Sequence, residues 1–125
     1  MPRVVHFEIG VDNPQRAVKF YTDVFGWKIA QWKTPESTMD YWLVGTGEAP
    51  EPGIDGALAP RGMYNQPVVN TVSVPSVDAY IEKIRAAGGQ IVSPKMPIPT
   101  IGWFATCKDS EGNIFGIMQE DKDAR

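Results

Sequence analysis

The sequence has one cysteine, Cys107, and one histidine, His6. A single thiol cannot close an intramolecular disulfide, and no cysteine cluster is present for structural zinc. Any Ser-His-Asp or Cys-His chemistry would have to run through His6 alone. No apolar run approaches the roughly 18 residues that mark a membrane span, so no membrane partner is expected. The opening Met1-Pro2-Arg3-Val4-Val5-His6 lacks the apolar stretch of a signal peptide, which makes a cytoplasmic location the expectation. Long blocks of like charge are missing too, and the net charge of -3 has the wrong sign for a nucleic-acid face. What is present is ordinary globular material: 42% hydrophobic and 22% charged residues over 125 positions. That suits one compact domain and is too short for two large ones.

The first apolar segment alternates. Val5, Phe7, Ile9 and Val11 share one strand face, and His6, Glu8 and Gly10 share the other. Such a strand buries its apolar face under a helix. Asp12-Asn13-Pro14 supplies an Asx N-cap and a first-turn proline. The spacing predicts a helix to about Phe25, with Ala17, Val18, Phe20, Tyr21 and Val24 as its apolar stripe and Gly26 closing it. Strands are expected over 27–33, 39–45 and 53–59, separated by the turn residues Pro35, Gly47, Pro50 and Pro52.

After a linker over 61–67 the pattern repeats. A β-branched strand covers 68–74, and Ser76 caps a helix carrying Val77, Tyr80, Ile81 and Ile84. Gly88-Gly89 stops that helix; strands follow over 90–93, 103–108 and 114–119, the last after the turn Asp109-Ser110-Glu111-Gly112-Asn113. The charged tail Glu120 to Arg125 is expected to fray. Trp42-Leu43-Val44 matches Trp103-Phe104-Ala105, and Gly53-Ile54-Asp55-Gly56 matches Gly112 to Gly116 with one extra residue. Internal duplication is the simplest account. The expected fold class is therefore α+β: two tandem β-α-β-β-β modules in one domain, module one about 1–60 and module two about 68–120.

Three features carry a family resemblance. His6 stands in the first strand, ahead of the helix segment Gln15-Arg16-Ala17-Val18-Lys19-Phe20-Tyr21; that helix ends in Val24-Phe25-Gly26-Trp27; and Asp109 to Asn113 forms a turn of DPDGN type before the last strand. Together they resemble the vicinal oxygen chelate superfamily of glyoxalases, bleomycin-resistance proteins and extradiol dioxygenases. The resemblance implies that the modules form an open, curved mixed sheet around a cavity holding a small molecule. It also implies module-to-module pairing, so a homodimer is expected. In the family's metalloenzymes a divalent ion, bound by one residue from each of four strands, acts as Lewis acid.

Carried over residue by residue, that metal site is incomplete. His6 matches the first ligand, but Val69 at the equivalent position of module two has no donor, and the carboxylate positions fall on Gly56 and Gly116. A catalytic divalent site commonly needs three protein ligands, so neither metal nor any other cofactor is expected. An unusual site drawing on Glu8 or Asp55 stays open, because a one-residue slip would bring Asp55 to the Gly56 position.

His6 and Glu8 share a face and are candidate catalytic residues, as a proton-transfer pair. The expected ligand-binding set is His6, Glu8, Tyr41, Gly56, Phe104, Thr106 and Met118. Tyr41, Trp42, Trp103 and Phe104 offer stacking surfaces or plain core. Cys107 falls on the helix side with Ala105, a buried structural cysteine. The proline-broken apolar segment Met96 to Gly102 is expected as a loop, either a lid or part of a dimer interface.

Three functions are compatible with these residues. The first is a protein that binds a small, partly aromatic molecule in a metal-free cavity. The second is a metal-independent lyase or isomerase using His6 and Glu8. The third is a divalent-metal glyoxalase-type lyase.

Overall fold

A computed structural model describes residues 2–33, 40–62 and 65–125. The chain divides into two compact units, residues 6–68 and residues 69–125 together with 1–5. The fold class is α+β.

The first unit holds most of β1 (Arg3–Val11) with α1 (Pro14–Phe25), β2 (Lys28–Gln31), β3 (Trp42–Gly45) and β4 (Asp55–Pro60). They lie in the order β2-β3-β4-β1. β1 runs parallel to β4, and the other pairings are antiparallel. A parallel pair needs a crossover, and the segment from α1 through β3 provides it. Asn13 caps α1 as its sequence predicts, its Oδ1 accepting from the Arg16 amide, and Gly26 ends it at φ 70°. Val11, Val44 and Leu58 form the buried centre, packed by Phe7, Ile9, Ala17, Val18, Tyr21 and Trp27.

The second unit holds most of β5 (Val68–Ser73) with α2 (Val77–Ala86), β6 (Gln90–Ile98), β7 (Gly102–Lys108) and β8 (Ile114–Glu120). Their order is β5-β8-β7-β6, with β5 parallel to β8 and the rest antiparallel. Ser76 Oγ accepts from the Ala79 amide and caps α2. Val74, Val77, Ala105, Cys107 and Ile117 make the core.

Two expectations fail in this unit. The segment from Met96 is not a loop: β6 runs on to Ile98, and only residues 99–101 turn before β7 begins at Gly102. β6 tolerates its prolines because it is the last strand of its unit's sheet and needs hydrogen bonds on one side only. The register shifts between Ser93 and Met96, where Pro94 falls.

Nor does the tail fray. Ala124 is 1% exposed; its carbonyl accepts from the Thr100 amide, and the Asp121 amide donates to the Ile101 carbonyl. Asp121 also accepts from Trp103 Nε1 at 3.1 Å. A charged composition hides these contacts, since they use backbone and one carboxylate.

Strand ends are shorter than expected, with β2 confined to Lys28–Gln31 and β3 to Trp42–Gly45. The start of the expected third strand, at Met39, lies outside the described residues. Among the described residues no helix is long and apolar enough to cross a membrane.

Candidate functional site

Alternation along β1 sends Phe7, Ile9 and Val11 into the core under α1, so His6 and Glu8 stand on the opposite face. Pairing then decides their neighbours. His6 stands beside Asp55 and Glu8 beside Ala57 on β4, while Ala57 faces Leu43 on β3. Tyr41, two residues before Leu43, shares that face. The Trp32 amide donates to the Tyr41 carbonyl at 2.8 Å, extending the β2–β3 ladder by one pair. The two rings meet edge to face with centroids 5.8 Å apart. Strands β1, β3 and β4 and the end of β2 thus bring His6, Glu8, Tyr41, Asp55 and Trp32 to one face of the first unit.

Three of these side chains are linked. Tyr41 Oη donates to Glu8 Oε2 at 3.1 Å, and His6 Nε2 lies 3.1 Å from the same hydroxyl. A phenol has one proton. With it committed to an ionised Glu8, the His6–Tyr41 bond requires the proton on Nε2, which leaves Nδ1 as an acceptor.

The environment draws each group toward its neutral form. Burial pushes the His6 imidazole below its ordinary value, against the opposing pull of the Asp55 charge. Burial likewise raises the Glu8 carboxyl, and the Tyr41 hydroxyl partly offsets this. Burial and the adjacent Glu8 charge both raise the Tyr41 phenol, so it acts as a donor rather than a phenolate.

Gly56 does not belong to this face. It pairs with Phe7 and Val44, and a Cβ there would lie 2.4 Å from the Phe7 carbonyl and 2.5 Å from its ring. Gly56 therefore lies on the α1 side, and the expectation that it lines the ligand site is corrected. Asp55 takes the place beside His6; its Oδ1 accepts from the Thr46 amide at 2.9 Å. Gly116, matched to Gly56 by the internal repeat, pairs with Thr71 and Thr106 on the face away from α2. The two glycines are not equivalent.

In the second unit Phe104 pairs with Met118 and Thr106 with Gly116. These four share the face opposite the core built on Ala105, Cys107 and Ile117. Phe104, Thr106 and Met118 are thus placed on a common face. Cys107 is fully buried and burial pushes its thiol up to about 11. Trp42 and Trp103 pack into the two cores, so of the four aromatics weighed as stacking surfaces only Tyr41 and Phe104 lie on the faces away from the helices. Trp103 instead lies under the Lys95 ammonium, 4.7 Å from its centroid, while Lys95 pairs with Asp78 on α2 at 3.0 Å. A shallow groove of about 370 Å³ on the α1 side of the first unit, lined by Val18, Ile29 and Trp42 among others, holds none of the linked groups.

The residues present do not fit a divalent metal. Among the described residues no three of His, Cys, Asp and Glu are grouped to hold one. Of the positions matched to the family's metal ligands, Val69, Gly56 and Gly116 carry no donor side chain. Sequence reasoning missed Trp32 and ranked Asp55 behind Gly56. The parity of Trp32 could be counted only once its pairing with Tyr41 was known.

Residues 3–117 match the Glyoxalase/Bleomycin resistance protein/Dioxygenase superfamily. The chain is 32% identical over 114 residues to the "Putative glyoxylase CFP32" proteins of Mycobacterium bovis and Mycobacterium tuberculosis, covering 90% of this chain and 42% of theirs. It thus spans about two fifths of the length of these relatives. A "Glyoxylase-like domain-containing protein" of Didymella fabae is 28% identical over 114 residues, with 88% of each chain covered. Among solved structures, methylmalonyl-CoA epimerase from Mycobacterium tuberculosis superposes with a TM-score of 0.70 at 15% identity, over 94% of this chain and 87% of that one. A hypothetical protein from Bacillus halodurans gives 0.73 at 14% identity, over 99% and 98%. At these identities the structural likeness is one of fold.

Proposed function

This chain belongs to the Glyoxalase/Bleomycin resistance protein/Dioxygenase superfamily, and within it we propose that it binds a small, partly aromatic molecule, without a metal, through His6, Glu8 and Tyr41. The observation that carries this reading is the His6–Tyr41–Glu8 chain. Three hydrogen-bonding side chains on a half-buried sheet face cost stability relative to apolar ones, a cost that a ligand site explains. The Trp32–Tyr41 ring pair supplies apolar surface for a flat ligand body beside the polar chain. Phe104, Thr106 and Met118 of the second unit are proposed as ligand contacts as well, and a homodimer and a cytoplasmic location are part of the proposal.

The test uses the single histidine. A set of small aromatic compounds is screened against the protein while the His6 imidazole signals are followed by NMR. The reading expects compounds that move those signals and that bind at least about tenfold more weakly to His6→Ala and Tyr41→Phe. A set in which binders leave His6 unmoved, and bind both variants as well as the wild type, would overturn it.

A second reading is a metal-independent isomerase or lyase. It is favoured by one specific observation: His6 is held below and Glu8 above their ordinary values, the direction in which proton-transfer groups approach neutral pH. His6 Nδ1 is the free base on this face, and Tyr41 would pass charge between His6 and Glu8. The fold also serves proteins named methylmalonyl-CoA epimerase, which supports compatibility with proton transfer at carbon and says nothing of substrate. Deuterium uptake from D2O at a carbon of a bound compound, abolished in His6→Ala, would establish this reading over plain binding.

A further inference from the structure

We infer that the molecule this site takes is an organic cation, a protonated amine carried on an aromatic body. The inference rests on reading the His6, Glu8 and Tyr41 face as the ligand site, and it follows from counting donors, charges and rings there.

Donors come first. The Tyr41 proton is given to Glu8 and the His6 Nε2 proton to Tyr41. What the chain leaves for a ligand is the Nδ1 lone pair and the second Glu8 oxygen, both acceptors. No buried side-chain polar atom lacks a partner among the described residues, so that oxygen is reachable. A ligand must therefore bring the hydrogen-bond donors. Carboxylates and other acceptor-only anions bring none.

Charge points the same way. The charged groups that act on this chain are Asp55 upon His6 and Glu8 upon Tyr41, all negative. Among the described residues of the first unit, Lys28 lies 3.9 Å from Glu48, both side chains exposed. Arg61 is held by Asp12 at 3.2 Å and by the Gly10 carbonyl. Among the described residues no cation pairs with Glu8. A half-buried carboxylate without a cationic partner is costly, and a ligand ammonium would supply the missing charge through a charge-assisted hydrogen bond.

The rings complete the match. Trp32 and Tyr41 stand edge to face, and the Tyr41 hydroxyl touches Glu8. An aromatic amine can therefore place its ring against Trp32 and its ammonium at Glu8, with the aromatic faces adding cation–π attraction.

The experiment compares probes that share a ring and differ in charge: benzylamine, benzyl alcohol and benzoate, and tryptamine with indole-3-acetate. Affinities are measured by calorimetry at neutral pH while the His6 imidazole is followed by NMR. The amines should bind at least about tenfold more tightly than their uncharged or anionic counterparts and should move His6. In Glu8→Gln, which keeps the acceptor for Tyr41, the amine should fall to the level of the alcohol. Raising ionic strength on the wild type makes the same comparison without a variant, weakening the amine and leaving the alcohol unchanged. An alcohol or carboxylate that binds as tightly as its amine while moving His6 overturns the cation inference and leaves the site reading standing. Amines that bind without moving His6 and without dependence on Glu8, or no binding by any probe, overturn both.

Discussion

His6 and Glu8 lie two positions apart on β1 and are joined through one hydroxyl, with Tyr41 Oη 3.1 Å from His6 Nε2 and 3.1 Å from Glu8 Oε2. Residues i and i+2 on a strand face are about 7 Å apart, too far for a direct hydrogen bond between them in place. A tyrosine entering from another strand closes that gap. The pair therefore behaves as one unit, and its removal can be read at several points.

Tyr41→Phe removes the bridge and keeps the ring. It should cost about 1–2 kcal/mol, because Glu8 and His6 each lose a partner in a half-buried setting. It should also release the bias toward the Nε2–H tautomer. With one histidine in the chain, imidazole 15N shifts of wild type and variant report the change without assignment ambiguity.

Glu8→Gln should raise the melting temperature at pH 7 by a few degrees. The sign follows from the raised carboxyl. The folded state holds the proton more tightly than the unfolded chain, so wild type is penalised once pH rises through the folded value. The advantage of the variant should shrink as pH falls and vanish below the ordinary value of 4.5. Melting curves across that range test it. An advantage independent of pH would mean that burial is not penalising the charge.

His6 has the opposite dependence. Its folded value lies below 6.5, so neutral His6 costs nothing at neutral pH, and stability is lost as pH falls below 6.5 while the unfolded chain takes up a proton. His6→Gln should flatten that part of the acid limb. The NMR titration midpoint of His6 in the folded protein should fall below 6.5.

Gly56→Ala should destabilise the first unit by about 2–3 kcal/mol. The new Cβ would meet the Phe7 carbonyl at 2.4 Å, and backbone in a paired strand cannot move aside. Gly116→Ala should cost less, because its nearest obstacle is the tip of the Phe104 ring at 2.6 Å, which can shift. Denaturant melts of the two variants give the ranking.

Asp121→Ala should lower stability by about 1 kcal/mol through the lost bond from Trp103 Nε1. Deleting residues 121–125 should cost more, since Ala124 is buried and its carbonyl holds the Thr100 amide. Equal melting temperatures for full-length and truncated chains would contradict a docked tail.

Local rules made much of this molecule legible in advance. Asn13 and Ser76 cap the two helices where their short polar side chains and the following apolar spacing place them. Gly26 closes α1 in the left-handed conformation that glycine adopts without strain. The faces of β1 and β7 could also be read, because alternation is a property of one strand and needs no partner. His6 with Glu8, and Phe104 with Thr106, were grouped that way, and Cys107 was set on the core side.

Register was another matter. Which β4 residue stands beside His6 depends on how two strands slide past each other, and a slip of one residue exchanges the faces. Matching Gly56 to Gly116 by the internal repeat put a glycine where the fold puts Asp55. The same limit hid Trp32, whose place follows from pairing with Tyr41, and the hydroxyl bridge itself, which needs β1 and the entry to β3 at a set spacing. Prolines in β6 read as a loop because a sequence does not say which strand will lie at an edge. The amino-acid order by itself determined the helices and the strand faces. Only tertiary structure decided which side chains meet, because that is fixed by packing between strands distant in the chain.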